Sequence, residues 1–199
     1  MLDSPYVRRV AISMKLMQLP FEHRPVSVFR HFERFRGINP VVKAPTLVCD
    51  DGTVLMDSTL ILDYLETLVA PAHRLMPGGG EARREALRLI GLALGAADLG
   101  VRLVYEREQR PAEKRHDPWV QRTLSQALAA YDALEAAAGK ANPWLQGEGP
   151  GAADVAVAVA WRFGQFYNAE LVPGRKYRAL VAFGARAEAL PAFESTPLD

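Results

Sequence analysis

A stretch rich in glycine and proline, PAHRLMPGGGEARR from Pro71 to Arg84, divides this chain of 199 residues into two parts. Glycine and proline are the strongest local breakers of regular structure, and here three glycines in a row follow Pro77. Before this stretch, apolar residues alternate between helical and strand-like spacing, whereas after it they keep helical spacing almost throughout. We therefore predict a mixed α/β domain at residues 1–73, a linker at 74–80 and an all-helical domain at 81–199.

The first part contains signals for both helices and strands. A helix is predicted over residues 5–18, because apolar residues recur there at helical spacing and Pro5 suits the first helical position. An extended run at 21–28, predicted as a strand, and a short helix in RHFERFRGI follow. TLVCD and TVLMD, joined at Asp50-Asp51-Gly52, predict a hairpin, and Ser58 begins a helix that stops by Pro71.

The second part is predicted to be a bundle of helices. Helical spacing covers residues 81–110, 118–138, 152–168 and 176–189, and short loops with glycine or proline join these segments. Helices joined in this way bury their apolar stripes against one another.

Charge and cysteine content exclude several classes of function. Lysine and arginine number 24 against 23 acidic residues, so no overall field favours nucleic acid or an anionic membrane as a partner. Cys49 is the only cysteine, which excludes an internal disulfide and fits a cytoplasmic location. No run of 18 apolar residues predicts a membrane span, and the four histidines lack metal-ligand spacing, so no metal is predicted.

Four motifs in fixed order carry a resemblance that covers essentially the whole chain. SPYVRRV, NPVVKAPTLV, MDSTLILDYLE and GAADVAVAVAW resemble the cytosolic glutathione transferase family. AADLGVRLVYEREQRP is similar to the small bacterial branch called YibF-like. The resemblance implies a thioredoxin-like N-terminal domain before the helical bundle, glutathione as co-substrate, and a homodimer.

Ser4 combines two possible tasks at the start of the first helix. As a cap, its oxygen accepts a free backbone N–H of the first turn, which stabilises a helix by about 1 kcal/mol. A helix N-terminus also favours anions, so a thiol held there with a hydrogen bond from Ser4 would have its pKa lowered from about 8.5 toward neutrality. The resemblance implies that Ser4 is the catalytic residue, and a capping role alone stays open.

The remaining site residues come from the resemblance and surround the second and third motifs. Pro45 matches a cis proline of the family, and the backbone of Ala44 would then pair with the cysteinyl backbone of glutathione. Lys43 would meet the glycine carboxylate, with a solvated surface lysine as the alternative. Asp57 and Ser58 would hold the γ-glutamyl amine and carboxylate at a helix N-terminus, with simple capping as the alternative.

Two departures from the family pattern stand out. Gly151 replaces the serine or threonine that usually caps the helix of the fourth motif, a loss of only a few tenths of a kcal/mol. Only Met1-Leu2-Asp3 precede the first helix, where the family has a strand inside the sheet. We therefore expect the first strand to be truncated and the natural chain to start some ten residues upstream.

The predicted function is that of a glutathione S-transferase-like enzyme, which stabilises the glutathione thiolate for attack on a small hydrophobic electrophile. Two alternatives stay open. One is a non-catalytic glutathione-binding or protein-interaction module on the same fold, and the other is a glutathione-dependent isomerase or dehalogenase. The identity of the second substrate is not written in the sequence.

Overall fold

A computed structural model describes residues 1–198, and in it the chain divides into two units. The first unit consists of Met1–Leu75 together with residues 191–198, and the second is Met76–Leu190. The elements before residue 75 are α1 (Pro5–Leu16), α2 (Phe32–Arg36), β1 (Thr46–Val48), β2 (Val54–Met56) and α3 (Ser58–Thr67). The second unit contains α4 (Gly80–Glu108), α5 (Asp117–Ala138), α6 (Ala152–Tyr167) and α7 (Arg178–Glu188), and α8 (Pro191–Glu194) follows in the first.

The helices and the hairpin lie within a few residues of their predicted bounds, but the strand predicted at 21–28 does not form. Among residues 1–198, the only sheet is the two-stranded antiparallel pair of β1 and β2, and residues 21–28 do not belong to it. A strand needs a partner for its backbone N–H and C=O groups. The strand predicted for this extended run is therefore wrong.

The core of the first unit lies where α1 packs against α3. Val10 and Met14 of α1 and Ile61 and Leu65 of α3 belong to one buried apolar cluster. Residues 8–14 are all buried, so α1 is enclosed on most of its circumference and not along a single stripe. The helix that begins at Ser4 is therefore firmly held from the second turn onward.

The C-terminal segment of the first unit covers another face of α1. Arg8 is only 1% exposed, its Nε donates to the carbonyl of Thr196 at 2.8 Å, and its guanidinium lies 5.6 Å from the centre of the Phe193 ring. About two helical turns further on, Lys15 donates to the carbonyl of Ser195 at 2.8 Å. These contacts tie the end of the chain back to its first helix.

In the second unit, α6 is the central helix of the bundle. Its residues 152–161 are all buried, which explains why the sequence GAADVAVAVAW is apolar on every side except at Asp154. The rings of Tyr131, Trp161 and Tyr177 pack with centroids 5.8 to 5.9 Å apart. A Cβ on Gly184 would lie 2.6 Å from the Trp161 ring, so only glycine lets α7 approach this cluster.

The N-terminus of α6 is capped without a serine. Gly151 has no side chain to cap with, and the N–H of Ala153 instead donates to the side-chain oxygen of Gln146 at 2.6 Å. The buried carboxylate of Asp154 accepts from the N–H of Gly151 at 2.9 Å and from that of Leu145 at 2.7 Å. The loop before the helix thus supplies the acceptor that the sequence motif lacks.

We expect Asp154→Ala to lower the free energy of unfolding by about 2–4 kcal/mol, because it leaves two N–H groups without their acceptor in a buried place. Urea denaturation followed by circular dichroism measures the change. Glu148→Ala, at an exposed position of the same loop, is the control and should leave stability within about 0.5 kcal/mol of the wild type. Equal effects of the two variants would contradict the assigned role.

Candidate active site at the N-termini of α1 and α3

Ser4 caps α1, as the sequence predicts. Its backbone is extended, with φ −70° and ψ 123°, and its Oγ accepts from the N–H of Val7 at 3.5 Å. Pro5 occupies the first helical position. Because the hydroxyl accepts from Val7, its own proton can be donated to an anion at the helix N-terminus.

The hairpin brings the second and third motifs together. Thr46 of β1 pairs with Met56 of β2, so the next residues outward, Pro45 and Asp57, stand at the same end of the two-stranded ladder. The Ala44–Pro45 bond is cis, as predicted. Pro45 is buried and Ala44 is half-buried, whereas Lys43 is exposed.

Asn39 fixes the loop before the cis bond and was missed by sequence reasoning. This asparagine is 3% exposed, and its Nδ2 donates to the Oγ1 of Thr46 at 2.9 Å and, more weakly, to the carbonyl of Lys43 at 3.4 Å. Its Oδ1 accepts from the N–H of Val41 at 3.0 Å. Asn39 opens the motif NPVVKAPTLV, but that motif was interpreted only through Lys43, Ala44 and Pro45.

Asp57 and Ser58 occupy the start of α3. Asp57 is its N-cap, with Oδ1 accepting from the N–H of Thr59 at 2.8 Å, and its φ of 72° lies in the left-handed region. An L-residue with a side chain rarely adopts that conformation, and such residues cluster at functional sites. Ser58 follows as the first residue of the helix and is 3% exposed.

Arg9 connects α1 to the start of α3 and is the second residue that sequence reasoning missed. Its guanidinium is buried, and Nη1 donates to the Oγ of Ser58 and to the Oγ1 of Thr59, both at 3.3 Å. The structure therefore joins the helix that carries Ser4 to the residue predicted to hold a carboxylate. The signal in the sequence was the pair of adjacent arginines, Arg8 and Arg9, which has apolar residues on both sides within the predicted helix.

Residues 1–198 form neither a cluster of metal-ligating side chains nor a helix that could span a membrane. Among residues 1–198, no three or more histidine, cysteine, aspartate or glutamate side chains are grouped so that they could hold a metal ion. None of the helices formed by these residues is long and apolar enough to cross a membrane. The candidate residues named above offer hydroxyl, carboxylate, ammonium, guanidinium and backbone groups.

Comparison with known proteins gives the same class for both units. The N-terminal domain of glutathione S-transferases matches residues 1–73, and the C-terminal domain of the same family matches residues 97–191. A probable maleylacetoacetate isomerase 2 from Drosophila melanogaster is 27% identical over 198 residues, which cover 94% of this chain and 81% of that protein. The GST-like protein YibF from Escherichia coli K12 is 31% identical over 134 residues, or 66% of this chain and 64% of that protein.

A solved structure extends the similarity to the whole fold. The crystal structure of a glutathione transferase family member from Pseudomonas fluorescens Pf-5, with bound glutathione, has a TM-score of 0.87 and 27% identity to this chain. The alignment covers 100% of this chain and 97% of that one. A small thioredoxin-like unit followed by a helical unit defines the two-domain class to which that structure belongs.

Within that class, the chain belongs to the glutathione S-transferase family. The fold class predicted from the sequence is confirmed, and so is the resemblance on which that prediction rested.

Proposed function

We propose that this chain is a glutathione-dependent transferase that holds the tripeptide in the first unit and ionises its thiol. One observation carries the proposal: the register of β1 and β2 places the cis Ala44–Pro45 bond and the Asp57–Ser58 helix start at one end of the hairpin, within the unit that also contains Ser4. The Pseudomonas fluorescens relative with bound glutathione supports the choice of ligand.

Ser4 has the role of stabilising the thiolate. The N–H groups at the start of α1 carry partial positive charge, and the Ser4 hydroxyl, which accepts from Val7, donates its proton to the sulfur. Both interactions favour the anion over the neutral thiol, so they lower the thiol pKa from its ordinary value of about 8.5 toward neutral pH. The thiolate is the nucleophile, and it is thus available without a covalent enzyme intermediate.

The two ends of glutathione are held by charge and by backbone pairing. The γ-glutamyl carboxylate lies at the N-terminus of α3 against Ser58, and Asp57 attracts the γ-glutamyl amine. The N–H and C=O of Ala44 pair with the cysteinyl backbone as an added strand would, and Lys43 meets the glycine carboxylate. Catalysis then consists of a lowered thiol pKa and of holding thiolate and electrophile together. A reducing compartment such as the cytoplasm suits this ligand and the free Cys49.

We expect Ser4→Ala to bind glutathione almost as well as the wild type but to conjugate it more slowly. Loss of the hydroxyl donor should raise the pKa of the bound thiol by about one, which lowers the rate near pH 6.5 by up to about 10-fold at saturating glutathione. Ultraviolet absorbance of the bound thiolate against pH measures the thiol pKa. A chromogenic electrophile gives the rate.

Ser13→Ala is the matched control, because Ser13 lies on the same helix and is buried away from its N-terminus. This control should keep the thiol pKa and the pH dependence of the rate. An unchanged thiol pKa in Ser4→Ala would reject the catalytic role of Ser4. If calorimetry shows that the wild type does not bind glutathione, the proposed function as a whole is rejected.

A glutathione-dependent isomerase is the second candidate, and the name of the Drosophila melanogaster relative favours it. The same thiolate would add to a carbon of a cis double bond conjugated to a carbonyl, the π electrons would move onto the carbonyl oxygen as an enolate, and the resulting C–C single bond would rotate. Expulsion of the thiolate would then restore the double bond in the trans form. Full recovery of glutathione after turnover indicates the isomerase, whereas stoichiometric loss of free thiol indicates the transferase.

A homodimer remains part of the proposal, and an apolar face of α3 supports it. Leu60, Tyr64 and Leu68 are spaced four residues apart, so they lie along one side of the helix. Leu60 is 65% exposed and Leu68 is 53% exposed. Side chains of this kind, exposed side by side, are typical of a surface that another chain covers.

We expect Leu60→Asp to shift the protein from dimer to monomer in analytical ultracentrifugation, because the new carboxylate would be buried without a partner in the interface. Phe29→Asp is the control: Phe29 is 57% exposed in the same unit but lies outside α3. It should leave the sedimentation coefficient unchanged. A wild type that sediments as a monomer at micromolar concentration would contradict the dimer.

A further inference from the structure

Arg9 is buried in the first unit and is not one of the site residues predicted from the sequence. It lies five residues after Ser4 on α1 and is 4% exposed. Nη1 is 3.3 Å from the Oγ of Ser58 and equally far from the Oγ1 of Thr59, whereas Nε is buried without a hydrogen-bond partner among residues 1–198. A buried donor without a partner is uncommon in a native structure and calls for an explanation.

The direction of the hydrogen bond decides what Ser58 can do. A guanidinium has donors only, so the Oγ of Ser58 must accept from Arg9. A hydroxyl has one proton, and once Arg9 occupies a lone pair, that proton is left to be donated. Ser58 is thereby turned into a donor at the first residue of α3, where a carboxylate would also meet the positive end of the helix.

The charge on Arg9 acts in the same direction. Burial lowers the pKa of Arg9 to about 10, and the nearby carboxylate of Asp57 opposes that change. Arg9 therefore stays protonated at neutral pH. Its guanidinium is buried against the start of α3 and has little contact with water. Because water and dissolved ions weaken the field of a buried charge only a little, Arg9 attracts an anion at Ser58 more strongly than a surface arginine would.

We propose that Arg9 is a positioning residue, which turns the Ser58 hydroxyl toward the α-carboxylate of the γ-glutamyl group and makes the site selective for that carboxylate. This inference rests on the proposed function, since it assumes that glutathione is the ligand. Arg9 acts through Ser58 and does not touch the reacting sulfur. Its role is thus separate from that of Ser4.

Arg8 is the matched control that the chain offers. It neighbours Arg9, lies on the same helix and is just as buried, but its guanidinium contacts Thr196 and Phe193 of the C-terminal segment. Replacement of either arginine by methionine removes a buried charge from α1. Only the replacement of Arg9 removes the partner of Ser58.

The experiment is calorimetry with two ligands: glutathione and its analogue 4-aminobutyryl-cysteinyl-glycine, which lacks the α-carboxylate of the γ-glutamyl group. The wild type should bind glutathione more tightly. Arg9→Met should raise the dissociation constant of glutathione about tenfold and leave that of the analogue almost unchanged. The ratio of the analogue's dissociation constant to that of glutathione therefore shrinks. Ser58→Ala should shrink the same ratio, and the double variant should add little to either, since both act on one hydrogen bond.

Two further readouts separate positioning from a structural role. The pKa of the bound thiol, which depends on Ser4, should stay at its wild-type value in Arg9→Met. Arg8→Met should lower the midpoint of thermal unfolding but keep the ratio of the two dissociation constants. Arg9→Lys, which retains the charge, should fold even where Arg9→Met does not and should recover part of the ratio.

If the ratio of the two dissociation constants is the same in the Arg9 variants as in the wild type, whether or not both ligands bind more weakly, the inference is overturned and the proposed function stays intact. A wild type that binds neither ligand would instead overturn the proposed function and this inference with it.

Discussion

The antiparallel register of β1 and β2 is the constraint on which the candidate site depends. Because Thr46 lies opposite Met56, the cis bond before Pro45 and the left-handed Asp57 stand at the same end of the hairpin. A slip of one residue would turn the side chains of β2 to the other face and carry Asp57 away from this position. Asn39 secures the register from outside, since its amide bonds to Thr46 and lies 3.5 Å from the sulfur of Met56.

The second constraint is the burial of α1, which is enclosed on most sides although its sequence contains two adjacent arginines. Each guanidinium is accommodated because it meets oxygens of another segment: Arg9 meets hydroxyls at the start of α3, and Arg8 meets the carbonyl of Thr196. A buried cation without such partners would be strongly destabilising. These contacts stabilise the first unit, and the one from Arg9 also engages the hydroxyl of Ser58.

Much of the fold was predictable because it depends on local signals. The caps at Ser4 and Asp57, the glycine turn of the hairpin and the helical spacing after residue 80 act within a few residues of one another. The strand at 21–28 was not predictable in this way, since strand formation depends on a partner that is distant in sequence. The acceptor that Gln146 supplies to α6, and the return of residues 191–198 to the first unit, likewise depend on contacts that have no local pattern.

By itself, the sequence determined the two-part organisation, the family, and the candidate residues from Ser4 to Ser58, because helix caps, turn residues and motif order are written in neighbouring letters. The tertiary structure alone decided which polar groups meet, above all that Arg9 donates to Ser58 and that Asn39 holds the loop before Pro45. The physical reason is that a buried polar side chain must find its partner wherever the packed chain places one, at a separation that no sequence pattern specifies.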